Sequence, residues 1–118
     1  MTNKIVVEDG TITITKDVIA NIAGAAAVEC YGLVGMASHK LQDGLFQLIG
    51  DESLNKGIIV RLKDNRITID MFIVVSYGTR ISVVAQNIIE NVRYQVERIT
   101  GIEIEKINVI VQGVKVID

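Results

Sequence analysis

Between Arg66 and Gly113 the apolar residues change their period twice, and few folds accommodate that. Ile67, Ile69, Met71, Ile73 and Val75 recur at every second position, the repeat of a strand with one face on a core. Tyr77-Gly78-Thr79 interrupts the pattern. From Ile81 the spacing becomes three or four, through Val84, Ala85, Ile88, Val92, Val96 and Ile99, which is the repeat of an amphipathic helix. Thr100-Gly101 stops that helix, because glycine enters the left-handed conformation of a helix end at little steric cost. Alternation resumes at Ile107, Val109 and Val111. The segment therefore reads as strand, turn, long helix, turn, strand.

The chain before it fits the same two-layer plan. Thr11 to Ile14 alternates threonine with isoleucine as a short strand opened by Gly10, and Thr15 is placed to cap a helix whose first turn carries Asp17. Val18, Ile19, Ile22, Ala23, Ala26 and Cys30 mark the expected apolar side of that helix. Gly24 to Ala27 keeps it slender enough for a close approach. Leu41, Leu45, Leu48 and Ile49 are spaced for a short second helix, weakened by Gly44. A hairpin follows, Ile58 to Lys63 returning through Asp64-Asn65 into the long strand.

The 118 residues make one domain, 1–118, able to bury a core without staples. Its order is strand, helix, short helix, hairpin, helix, strand. The expected fold is an α+β two-layer sandwich, a mostly antiparallel sheet with the two long helices on one face. A split βαβ arrangement is the preferred strand order.

Composition excludes several functions. Aromatic residues make up only 4% of a chain that is 49% apolar, which suits a core of isoleucine and valine in a sheet. A net charge of −2 gives no global attraction to phosphate or anionic lipid. No run approaches the roughly 20 apolar residues that span a bilayer, and the first residues do not read as a secretory signal, so direct membrane insertion is not expected. The lone Cys30 rules out an internal disulfide and suits a reducing compartment. No catalytic or metal-binding constellation stands out. His39 has only Asp43 at helical spacing, Cys30 ends an apolar helix face, and Asp70 points to the sheet face opposite Ile67. No enzyme activity, metal or cofactor is expected.

One motif offers a rival function. Gly32-Leu33-Val34-Gly35 has the form of the loop with which KH modules hold a nucleic-acid backbone, on the layout of helix, loop, helix. Leu33 and Val34 stand where a basic residue ordinarily helps, and the net charge is negative, so nucleic acid is the alternative partner rather than the expected one.

Several stretches taken together resemble the bacterial alkaline shock, or general stress, proteins of the envelope stress response family. They are Gly10-Thr11-Ile12-Thr13-Ile14, Lys56-Gly57-Ile58-Ile59-Val60, Ile69-Asp70, Ile73-Val74-Val75-Ser76-Tyr77-Gly78, Thr100-Gly101 and Val109-Ile110-Val111-Gln112-Gly113-Val114, in order from Gly10 to Val116. Asp43-Gly44-Leu45-Phe46-Gln47-Leu48-Ile49-Gly50 looks like a compact Gram-positive subgroup. The resemblance implies a cytoplasmic, non-enzymatic protein of envelope homeostasis that self-associates as a homo-oligomer. It also implies possible membrane association through a separate anchoring partner. The 118 residues depart from the abundant stress-induced members in showing no long charged tail, so the resemblance is not expected to extend to stress induction. The family supplies no catalytic residues to carry over.

Strand parity adds a surface. With Ile67, Ile69, Met71, Ile73 and Val75 towards the helices, the other face receives Thr68, Asp70, Phe72 and Val74. The hairpin adds Ile59, Arg61 and Lys63, and the last strand adds Asn108, Ile110 and Gln112. Ile59, Phe72, Val74 and Ile110 are expected to form an apolar patch rimmed by charge that binds a second copy or a partner protein. The competing reading is that the segment around Leu41, Leu45 and Leu48 folds over it.

Overall fold

The computed structural model describes residues 2–37, 48–49, 57–63 and 66–116. Among the described residues nine elements follow in order: β1 (Thr2–Val7), β2 (Gly10–Thr15), α1 (Lys16–Val28), β3 (Leu33–Ala37), β4 (Leu48–Ile49), β5 (Ile58–Lys63), β6 (Arg66–Ser76), α2 (Ile81–Thr100) and β7 (Ile104–Lys115). This is the expected α+β sandwich with both helices against one face of a mostly antiparallel sheet.

β6 is the axis of the sheet. β7 runs parallel to it from Ile67 to Ser76 along one edge. A strand has only two edges, so its antiparallel partners share the other in tandem: β5 from Arg66 to Met71, then β3 at Ile73 to Val75. β4 pairs outside β3. The crossover is consequently not split. α2 carries the chain back along β6, and β7 enters directly beside it. A helix of 20 residues spans about 30 Å, close to the length of the 11-residue β6, so the return needs no intervening strand.

Period becomes packing at the shared layer. Ile67, Ile69, Met71, Ile73 and Val75 are 0–1% exposed, and α2 sets Val84, Ile88, Val92 and Val96 against them at 0–4%. Each such side chain contributes about 1.5–3 kcal/mol on leaving water. α2 ends as expected: Gly101 has φ 75°, and its amide donates to the Glu97 carbonyl at 2.9 Å.

α1 departs from its predicted stripe. Thr15 caps it, with Oγ1 accepting from the Val18 amide at 3.4 Å. Its buried residues are Ile19, Ala20, Ala23, Gly24, Ala26 and Ala27, whereas Val18 is 44% exposed. The helix packs against both the sheet and α2, and the small residues take the close contact. Asn91 Nδ2 of α2 then reaches the Ala26 carbonyl at 2.8 Å.

Three further differences concern pairing. Residues 2–7 form β1, which pairs with β2 across Glu8-Asp9 as a separate two-stranded ribbon. Gly32-Leu33-Val34-Gly35 is not a loop between helices. Gly32 is a turn residue at φ 93°, and Leu33 to Ala37 is strand β3, with Leu33 opposite Val75 and Gly35 opposite Val74. Leu48 and Ile49 lie in β4 rather than a helix. The rest of the predicted short helix, His39 with Asp43, and the Asp64-Asn65 turn lie outside the described residues.

Candidate interaction surface

The face of the sheet turned away from the helices is organised by three strands in register. Asp70 of β6 lies opposite Ile59 of β5 and Asn108 of β7. Its carboxylate accepts from Asn108 Nδ2 at 2.8 Å and pairs with Arg61 at 2.9 Å. Arg61 stands one step diagonally along β5, within reach of a cross-strand ion pair. The carboxylate that interrupts the long strand therefore ties β5, β6 and β7 together. Arg61 is 57% exposed at its side chain, so solvent screens the pair and its contribution is at most about 1 kcal/mol.

Beside this network Phe72 faces Ile110 across β6 and β7, one residue pair along from Ile59. Ile59 and Phe72 are half-buried and Ile110 is 36% exposed. Val74 departs from expectation: it shares the face, yet it is 1% exposed although both flanking residues are the glycines Gly35 and Gly113. Parity fixes the side on which a residue lies and says nothing of what covers it. Of the four, Val74 is buried, Ile59 and Phe72 are half-buried, and Ile110 is the most exposed.

The rival loop is engaged otherwise. The Gly32 carbonyl accepts from the Ser76 amide at 2.9 Å, and the Leu33 amide donates to the Cys30 carbonyl at 3.4 Å. Leu33 packs against the core. A phosphate backbone would have to displace sheet pairing to reach these groups, and no basic side chain belongs to the tetrad.

Cys30 lies past the end of α1, half-buried, with Sγ within 3.7 Å of the Ala26 carbonyl and 3.9 Å of the Asn87 carbonyl. Burial pushes its thiol above the usual range, Asn91 opposes the shift, and Glu29 adds to it. That is a thiol held protonated, the reverse of an activated nucleophile. Among the described residues no group of three histidine, cysteine or carboxylate side chains could hold a metal ion. None of their helices is long and apolar enough to cross a membrane.

One sequence signal bears on a strand that the period alone does not reveal. Ile5 and Val7 alternate ahead of Glu8-Asp9, a two-residue turn, and Thr11 to Ile14 alternates after it, the pattern of a hairpin. The apolar groove between the helices, a cavity of about 310 Å³ lined by Ile22, Ala25, Ala26 and Ile99, depends on how α1 meets α2.

The described residues thus form a two-layer α+β sandwich whose helix-free sheet face carries the Arg61–Asp70–Asn108 network. The chain belongs to the ASP23 family of alkaline shock and Gls24-type stress proteins, described by a cell envelope-related function, whose model matches residues 4–116. It is similar to the uncharacterized protein YloU of Bacillus subtilis, with 47% identity over 108 residues covering 91% of this chain and 90% of YloU. It is also similar to the uncharacterized protein Spy1614 of Streptococcus pyogenes, with 41% identity over 118 residues covering 99% and 98%. A stress response regulator gls24 homolog of Streptococcus pyogenes is 26% identical over 106 residues, and this chain spans 59% of its length. No solved structure gives a significant match.

Proposed function

We propose that this protein is a non-enzymatic cytoplasmic scaffold of envelope homeostasis, acting through self-association and through a protein partner that can hold it near the membrane. The observation that carries the reading is the patch of Ile59, Phe72 and Ile110, set beside the Arg61–Asp70–Asn108 network. Partly exposed apolar side chains beside a hydrogen-bonded charge network are the composition of a protein-binding surface. The family's envelope-related description agrees with such a role.

The test is Phe72→Lys. The side chain is half-buried at the sheet surface, so circular dichroism should remain that of the wild type while a partner retained by the wild-type protein from native-host extract is lost. A folded variant that retains the same partner contradicts the assignment of this face. The nucleic-acid reading is tested by titration with RNA and single-stranded DNA at physiological salt, where no complex tighter than micromolar is expected. A sub-micromolar complex abolished by aspartates at Leu33 and Val34 would reinstate it.

A further inference from the structure

The β1–β2 ribbon is built as a sheet but attached as an appendage. Its register sets Ile5 opposite Ile12, and Val7 opposite Gly10. Ile5, Val7, Ile12 and Ile14 consequently share one side. Ile14 packs against the core, whereas Val7 is 45% and Ile12 48% exposed. A two-stranded ribbon is marginal in water by itself, and leaving its apolar side wet adds to the cost. At its tip stand Glu8 and Asp9, both exposed.

The position of the ribbon follows from the helix pair. Cys30 meets Asn87, Ala26 meets Asn91, and Ile22 and Ala25 share a groove with Gln95 and Ile99, so α1 and α2 are antiparallel. α2 ends where β6 and β7 begin. α1 therefore starts at that end, and the ribbon leaves the domain there. The same end of the open sheet face is basic. Arg61, Lys63, Arg66, Thr68 and Glu105 line a cavity of about 300 Å³, and Lys106 sits in register with Thr68. Asp70 pairs with Arg61 and Glu105 with Arg66; Lys63 and Lys106 have no carboxylate partner among the described residues.

We propose that the occupant of the ribbon is a second copy of this chain. Two protomers pair about a two-fold axis with their ribbons side by side and antiparallel. Ile5, Val7 and Ile12 of each cover those of the other, and each Glu8-Asp9 tip rests on the other's Lys63–Lys106 corner. Six-residue strands reach about 20 Å, which carries a tip from its own domain to the end of its partner. A second copy fits better than an unrelated partner because the acidic tip and the basic corner occur on one chain at one end. A single two-fold operation then satisfies both, twice.

This inference rests on the self-association of the proposed function, and sedimentation velocity on the full chain separates the two. Wild type is expected as a dimer, and Ile12→Lys should weaken it about 100-fold or more, the effect of opposing like charges across a two-fold. Two further variants test the charges, Glu8→Lys with Asp9→Lys, and Lys63→Glu with Lys106→Glu. Each alone should be monomeric, and an equimolar mixture should restore a dimer, because both contacts in the mixed pair are again of opposite sign. All three should keep wild-type circular dichroism, since the residues changed are exposed. A monomeric wild type overturns self-association and this inference together. A wild-type oligomer indifferent to the ribbon variants, or variants that fail to complement on mixing, overturns the ribbon alone.

Discussion

Replacing Gly32 by alanine should destabilise the protein more than the same replacement at Gly78, and the difference isolates one contact. The two glycines have nearly the same backbone, φ 93° and 95°. Alanine at either pays the left-handed penalty of about 1–2 kcal/mol. Their surroundings differ. A Cβ on Gly78 meets nothing within 4 Å, while one on Gly32 lies 2.7 Å from Val84 Cγ2 and 3.4 Å from Cγ1. Val84 is 4% exposed in the first turns of α2 and must shift against the core, at about 1–3 kcal/mol. Gly78→Ala is thus expected to cost about 1–2 kcal/mol and Gly32→Ala about 2–5 kcal/mol. Urea unfolding followed by circular dichroism, at one fixed protein concentration, reads both values. Val84→Ala should lose less stability in the Gly32→Ala background than in the wild type, because the offending methyl is gone. Equal losses at the two glycines, or additive effects of Gly32→Ala and Val84→Ala, would refute the close approach. They would also reopen a different role for Gly32.

Asn91→Leu should cost about 1–3 kcal/mol, since it leaves the Ala26 carbonyl without its 2.8 Å donor from the facing helix; unfolding at constant m-value measures it. Cys30 should react with a thiol reagent more slowly in the native protein than in denaturant, by about tenfold or more at neutral pH. With its folded pKa raised, the Cys30 contribution to stability is fully present below the unfolded thiol value and is lost as pH rises from there through the folded one. A Cys30→Ser comparison across that window, opposite in slope, would count against the burial argument.

The parts of the fold legible in the sequence are those set by local rules. The period of β6, the Gly101 stop and most of the α2 stripe are each decided within a few residues: Val84, Ile88, Val92 and Val96 are buried as expected, Ala85 is half-buried, and Ile99 departs from the stripe at 56% exposed. β3 was hidden because Leu33 and Val34 become a strand only by pairing with β6, some 40 positions away, while Gly32 and Gly35 read locally as a turn. β1 was hidden because Ile5 and Val7 give too short an alternation without its partner. The open face was legible in outline, since the parity of Asp70, Phe72 and Ile110 is arithmetic. The burial of Val74 was not, because parity assigns a side of the sheet and carries no information on solvent exposure. The detachment of the ribbon from the main sheet is likewise a matter of topology, for nothing in Thr11 to Ile14 says which strand it will join.

A chain that works by self-association must weigh more than one copy in solution. Sedimentation equilibrium of the wild-type protein over a micromolar to submillimolar range should return more than the 12.9 kDa of one chain, rising with concentration towards an even multiple. A constant 12.9 kDa across that range would contradict self-association.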